Sequence, residues 1–316
     1  MSEFCHHASR FRLRPLAFAA LALAAAAAPA LAGPYGAVGD AYVTSDASNL
    51  LRQYDGVTGI YSGVFTPSTA ATGQMAVHFG ATNNRLLIGH LSGGVEEYNA
   101  TTGAYIKTYN PAGGWQWAGL YAPNGEVLIG DMSTGDVRRY DPNTAAFLGV
   151  LTTVTDPADM RFGPNGNLYI ASFGGGYVKE VTFPAGTPAG FWPQPPGGQT
   201  NDITFHPTTG EILITSMRHN LVFRYDVAHN FLGTFGNASW GNTHGIDVDP
   251  ATGNIFVVDG ATGQVYVYDP VTFAELTPTF LNPTPGDKVV DLEFKRPGQA
   301  TPAAGVTWGA IKHLYR

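Results

Sequence analysis

A chain of 316 residues with 17 basic and 24 acidic side chains carries a formal charge of −7 at neutral pH, which argues against nucleic acid and anionic lipid surfaces as partners. One cysteine, Cys5, precludes an internal disulfide or a cysteine-ligated metal centre. With 40 glycines and 22 prolines, and threonine and tyrosine in abundance, the composition suits one large all-β domain.

At the N-terminus, Arg10, Arg12 and Arg14 precede the apolar run "PLAFAALALAAAAAPA" and the small-residue pattern "ALA" at 30–32. These are the three parts of a secretory signal peptide, and an alanine-dominated run ending in a cleavage pattern is read as a leader rather than a spanning helix. Residues 1–32 are expected to be removed, giving a secreted protein, extracellular or periplasmic, with no membrane insertion afterwards. The remaining chain has no thiol and carries 14 basic and 23 acidic residues, a charge of −9.

From residue 33 onward the chain repeats itself. A tyrosine followed by an acidic or amide residue ends an apolar strand in "LLRQYDGVTG" (Tyr54), "GVEEYNATTG" (Tyr98), "DVRRYDPNTA" (Tyr140), "LVFRYDVAHN" (Tyr225) and "QVYVYDPVTF" (Tyr268), with Val181 in that place in "YVKEVTFPAG". Successive anchors are 44, 42, 41, 44 and 43 residues apart. Before the anchors, segments such as "DITFHPTTGEILIT" and "GIDVDPATGNIFVV" give strand, tight turn, strand, with glycine supplying positive φ. Each unit of about 42 residues is then a four-stranded antiparallel meander, too small to bury both sheet faces alone. Six such units packed radially make a six-bladed β-propeller over residues 33–296. The first unit lacks its innermost strand and "VVDLEFKRPG" (289–298) lacks a following blade. The C-terminal strand is expected to complete the first blade, removing an exposed edge.

"GIDVDPATGNIFVVDGATGQVYVYD" resembles an NHL repeat, the unit of six-bladed propellers that include the SMP-30/gluconolactonase-like and streptogramin-lyase-like proteins. The resemblance extends over all six units and implies the fold; the same ring hosts lactonases, lyases and binding modules.

Antiparallel counting puts the starts of the innermost strands and the loops between second and third strands on one face. Asp159, Asn201, Asp202 and Asp291 meet His244 there, a set of donors suited to Ca²⁺ or another divalent cation. The same aspartates would also serve as clips that accept backbone N–H groups and hold blades in register. "TNDITF" is similar to the "PND" segment of gluconolactonase-like propellers, and that resemblance implies Asn201 as a metal ligand; the glutamate those enzymes present from an early blade has no counterpart at the inner-strand starts. The streptogramin-lyase resemblance implies a histidine base, with His244 as the catalytic candidate.

On the same face, Trp115, Trp117, Phe191 and Trp192 in "NPAGGWQW" and "FPAGTPAGFWPQPPGGQ", with His90, Arg218 and His219, form the candidate ligand-binding set. No GxSxG elbow, HExxH pair, phosphate-binding glycine loop or EF-hand appears. Residues 297–316 read as a linker and a short C-terminal tail with Trp308, Ile311 and Leu314 near one face. Three functions fit: an exported module that binds an extracellular ligand or protein, a metal-dependent lactonase- or lyase-like enzyme, or a subunit of an extracellular assembly.

Overall fold

The tyrosine-anchored segments form the third strand of each of six four-stranded antiparallel sheets in a computed structural model of the chain. It describes residues 39–296 apart from 68–71, 81–83, 111, 194–197, 238, 278 and 282–286. The expected signal peptide (1–32) and the linker and tail (297–316) lie outside the described residues.

The first blade contributes β1 (Ala41–Ser45), β2 (Leu50–Tyr54) and β3 (Tyr61–Pro67), and the second β4 (Thr72–Phe79), β5 (Arg85–Ser92), β6 (Val95–Asn99) and β7 (Tyr105–Tyr109). The third has β8 (Ala118–Tyr121), β9 (Val127–Asp131), β10 (Asp136–Tyr140) and β11 (Phe147–Thr153), and the fourth β12 (Pro157–Phe162), β13 (Leu168–Ser172), β14 (Tyr177–Val181) and β15 (Pro188–Pro193). The fifth has β16 (Thr200–Phe205), β17 (Ile212–Ser216), β18 (Leu221–Tyr225) and β19 (Phe231–Phe235). The sixth has β20 (Thr243–Val248), β21 (Ile255–Asp259), β22 (Gln264–Tyr268) and β23 (Glu275–Thr277).

The last strand, β24 (Val289–Phe294), pairs antiparallel with β1 from Ala41 opposite Phe294 to Ser45 opposite Val289, so the first sheet runs β24-β1-β2-β3. Gly39 N donates to Lys295 O at 2.7 Å and Lys295 N to Asp40 O at 3.0 Å, extending the closure. Asp287, just before β24, takes Ser45 Oγ and the Arg52 guanidinium from the first blade. The expected closure of the ring is what the chain adopts, and among the described residues no helix is long and apolar enough to cross a membrane.

Apolar side chains gather between blades. Tyr42, Leu51 and Phe65 pack on Val77, Leu86 and Tyr98 between the first two blades, and Val43 and Leu292 on Val258 and Val265 between the last and the first. Similar clusters fill the other four interfaces. Strands buried on both faces therefore read as apolar runs, as in "VLIGD" and "IFVVD".

The repeated tyrosine and its polar successor have separate tasks. In every blade the register of the third strand against the fourth shifts beside the anchor, producing a bulge. Across it the buried tyrosine meets a partner ring: Tyr54 on Tyr61 at 5.4 Å, Tyr98 on Tyr105 and Tyr140 on Phe147 at 5.7 Å, Tyr225 on Phe231 at 5.5 Å. The next residue closes the turn, as where Asp55 Oδ1 accepts from Val57 N (3.1 Å) and Thr58 N (2.7 Å). Two residues into β3, β11 and β19, Gly63, Gly149 and Gly233 take φ of 147°, 131° and 139°, a kink that turns these outer edges away from a straight template.

Candidate functional site at the mouth of the ring

The inner strands β24, β4, β8, β12, β16 and β20 begin at one end of the ring. Met75, Trp117, Ala158, Asn201, His244 and Val290, one from each blade, border a void of about 20 Å³. Asp159, Asp202, Asp291, Ala76 and Gly245 complete its lining. The convergence expected of Asp159, Asn201, Asp202, Asp291 and His244 is therefore present. Gly245 permits it, because a Cβ there would stand 2.6 Å from Asp291 Oδ1 and 3.1 Å from Val290 O.

Most carboxylates here act as clips between blades. Asp291 Oδ2 accepts from Val77 N of the second blade at 2.9 Å, and Asp202 Oδ2 from Ile246 N of the sixth at 2.7 Å. One step deeper, Asp247 Oδ2 accepts from Phe294 N at 2.9 Å and Glu293 Oε1 from Phe79 N at 3.4 Å. Asp202 Oδ1 and Asp291 Oδ1 also cap their following amides, Ile203 N at 2.6 Å and Leu292 N at 2.8 Å. Among the described residues no three His, Asp or Glu side chains are arranged to hold a metal ion.

Asp159 departs from that pattern. Its Oδ1 lies 2.8 Å from His78 Nε2, while His78 Nδ1 lies 3.0 Å from Glu293 Oε2, so the imidazole spans from the first blade to the fourth. The blade between contributes only Ala118, Gly119 and Leu120 at this depth. Arg161 reaches Asp247 at 3.6 Å, Asp159 at 3.9 Å and Asp202 at 4.0 Å, and Arg296 holds Asp247 at 2.5 Å.

Five carboxyl groups (Asp159, Asp202, Asp247, Asp291, Glu293) thus share three basic groups (His78, Arg161, Arg296) in a buried site. Burial opposes charge on His78, but Asp159 and Glu293 outweigh it and lift its pKa to about 10. Burial likewise opposes charge on Asp159, which His78 and a bond from Asp202 nevertheless hold down at about 2. Burial, with the neighbouring Asp159 and Asp291, raises Asp202 well above the usual carboxyl range against the pull of Arg161. Burial also pushes Asp291 up to about 7, against the pull of His78.

His244 is neutral, because burial lowers its pKa to about 4 against a weaker pull from Asp259. Asn201 Nδ2 donates to His244 Nδ1 at 2.8 Å, placing the ring proton on Nε2. A base that weak is poorly matched to proton abstraction at neutral pH.

The aromatic and cationic candidates scatter. Trp117 borders the void, and with Met75, Met132, Ala158 and Val290, backed by Leu91 and Phe173, it forms an apolar collar. Trp115 is 56% exposed, on a loop tied down by Met132 N donating to Trp115 O at 2.8 Å. Phe191 is half-exposed against Tyr177, Arg218 is exposed, and His219 Nδ1 lies 2.8 Å from Ser216 Oγ. Two candidates must be placed elsewhere. Trp192 is fully buried between the fourth and fifth blades against Tyr169, because alternation along β15 turns it inward where Phe191 points out. His90 is fully buried within the second blade, its Nε2 3.2 Å from Glu96 Oε2.

Sequence reasoning missed His78, Arg161, Asp247, Glu293 and Arg296. For the first four the signal was a charged or imidazole side chain two residues beyond the inner-strand clip position, in "AVHF", "DMRF", "GIDV" and "DLEF"; Arg296, just past β24, had no such signal.

No family model matches the chain, and no curated protein matches it. Among solved structures, a chain in the crystal structure of a nidogen/laminin complex is similar at 11% identity and a TM-score of 0.69, over 81% of this chain and 98% of that one. The likeness and the six sheets define the class: an all-β, six-bladed β-propeller closed by its C-terminal strand.

Proposed function

We propose that this chain is an exported propeller that binds a protein or other extracellular ligand through the face where the inner strands begin. One observation carries the reading: the exposed Trp115 stands on the same face as the apolar collar of Met75, Trp117, Met132, Ala158 and Val290. A large exposed aromatic is an effective anchor for a partner, and this one stands beside a collar whose own side chains are at most 8% exposed. Below the collar, the carboxylates are engaged by backbone amides, His78 and Arg161, an arrangement that favours holding blades over turning over a substrate. The fold-level neighbour comes from a protein–protein complex, which is consistent with a protein partner. Export rests on the leader features of residues 10–32.

The test immobilises residues 33–316 and presents extracellular proteins and glycans of the producing cells. Captured species are identified, and the capture is repeated with Trp115→Ala. Expected is capture that falls at least tenfold in the variant while its melting temperature stays unchanged. Capture indifferent to Trp115→Ala, or turnover of lactones that is lost in His244→Ala, would overturn the reading.

A further inference from the structure

Asn201 is 8% exposed, and its Oδ1 has no hydrogen-bond partner although its Nδ2 is fixed on His244. An unpaired buried acceptor is costly unless something donates to it. Asn201 lines the same void as Asp159, Asp202 and Asp291, at the level of Met75, Trp117 and Val290. About 20 Å³ accommodates a single water-sized group. Acidic groups outnumber basic ones at this end: its loops and strand ends carry Asp46, Asp131, Asp136, Asp156 and Asp259, while Arg138 pairs with Asp131 and Arg52 with Asp287, leaving Arg218, Lys288 and Lys179, whose ammonium is held by Thr152 Oγ1 and Thr153 O.

We propose that the mouth receives a lysine side chain of a protein partner, whose ammonium head donates to Asn201 Oδ1 and to carboxyl oxygens of Asp159, Asp202 and Asp291 while its methylenes lie against Met75, Trp117 and Val290. The proposal rests on the binding reading given above and names the chemistry of the partner. An ammonium is compact and has three donors, whereas a planar guanidinium is wider than the void. A divalent cation suits the site less well. It wants six or more oxygens at about 2.3–2.6 Å, and four carboxylate oxygens of Asp202 and Asp291 already accept from Ile203, Ile246, Leu292 and Val77 amides. Each such oxygen keeps a second lone pair that an ammonium can use from one side.

The cation and the proton on Asp291 compete. Facing Asp291 are His78 on β4, Asp159 and Arg161 on β12, Asp202 on β16, and His244 and Asp247 on β20, with Glu293 on its own strand. Asp291 near pH 7 therefore couples lysine capture to loss of one proton, and affinity rises with pH between 6 and 8 by about tenfold.

The experiment titrates residues 33–316, treated first with chelator, with Nα-acetyl-lysine methylamide at pH 6 and pH 8, following the tryptophan fluorescence change that is lost in Trp117→Phe. The norleucine and arginine analogues and CaCl₂ alone are run beside it. Expected is saturation by the lysine compound alone, about tenfold tighter at pH 8, weakened at least tenfold in Asn201→Leu and retained in Asn201→Asp, which keeps an acceptor. Equal binding of norleucine, no saturation by lysine up to about 100 mM in folded wild type, or stoichiometric Ca²⁺ that excludes the lysine compound would each overturn it. Asn201→Asp separates a lost acceptor from a lost fold. Trp115-dependent capture of a partner that survives acetylation of the partner's lysines would overturn the lysine proposal while leaving the binding reading intact; loss of all Trp115-dependent capture would remove both.

Discussion

The outer half of each blade and the inner strands were built from the same repeat, yet they have diverged in opposite ways. Along the outside, the anchor, its polar successor and the bulge recur in nearly every unit, and even the exceptions keep the geometry: Ala145, His229 and Phe273 take φ of 58°, 71° and 56° where other units place glycine. Along the axis the corresponding side chains are His78, Leu120, Arg161, Thr204, Asp247 and Glu293, with no two alike. Outside, each blade solves the same problem alone, namely closing a turn and turning its edge away from other chains. Inside, six strands face one another, so a change in one must be balanced by a neighbour. The surplus of carboxyls over cations there is the sum of such local exchanges.

The strongest way to break this comparison is to remove one cation from each zone. Arg161→Leu leaves Asp159, Asp202 and Asp247 without the charge that binds them together, and breaking a buried ion pair in this way costs about 3–5 kcal/mol. For a ring of this size that is a fall of roughly 10 °C in Tm. Arg139→Leu removes a closer, bidentate pair with Glu126, 2.6 and 2.7 Å apart, yet partly solvated on the outer strands; about 1 kcal/mol or less is expected. Equal losses, measured by urea denaturation, would refute the distinction between the zones.

Next in size is the pH dependence, which belongs to the axis. His78, raised to about 10 from 6.5, gives stability that is complete below pH 6.5 and is lost as pH climbs through 10. Asp291, raised to about 7 from 3.8, acts with the same sign, and its share is present below pH 3.8 and fades as pH rises through 7. Asp159, lowered to about 2, has the opposite sign and withdraws its share only as pH falls from 3.8 through 2. Stability should therefore be greatest near pH 4–5 and fall by several kcal/mol by pH 9, about 3 kcal/mol of it from His78 and about as much from Asp291. Calorimetry across that range is the check, and His78→Gln should flatten the alkaline limb. A maximum at pH 8 would mean that the carboxyls at the mouth are all charged.

A smaller effect, local to the junction of the first and sixth blades, follows from Gly245→Ala. The added methyl would lie 2.6 Å from Asp291 Oδ1 and 2.7 Å from Asp291 Cα, so β20 and β24 must part slightly. A loss of about 1–3 kcal/mol is expected, as for other overpacked sites. A neutral result would show that the inner strands slide freely, and that the void at the mouth is adjustable.

The same division explains what could be read from the sequence. Tyr54, Tyr98, Tyr140, Tyr225 and Tyr268 announced the blades because an outer-strand contact depends on residues only a few positions away. The closure by β24 was legible because a strand pattern was missing at one end of the repeat array and surplus at the other. Asp202 and Asp291 were found at the strand starts, with both a clip and a ligand role in view. His78 and Arg161 were not, since inside "AVHF" and "DMRF" their importance depends on which parity faces the axis and on side chains more than 80 residues away. Parity also misplaced Trp192 and His90: a tryptophan in a Gly/Pro-rich stretch looked like a loop anchor, and a histidine inside β5 was counted among the ligand-binding groups that follow the second strands. In both, one step along the pleat separates the surface from the core.

The smallest test lies wholly outside. Asp55 accepts from Val57 N, Thr58 N and Thr58 Oγ1, and those bonds hold its carboxyl below the usual range although it is largely solvated. Asp55→Ala should cost about 0.5–1 kcal/mol, the worth of a local turn bond exposed to water. Asp55→Asn, which copies the amide that Asn99 already places at the equivalent turn of the second blade, should cost almost nothing. Because each outer turn is closed by its own residues, the effect of Asp55→Ala should add to that of Arg161→Leu, some distance away on the axis, to within about 0.5 kcal/mol in the double variant. A larger coupling would mean that the turns and the axis answer to one another after all, and that the outer repeat is held in place by the irregular interior rather than by itself.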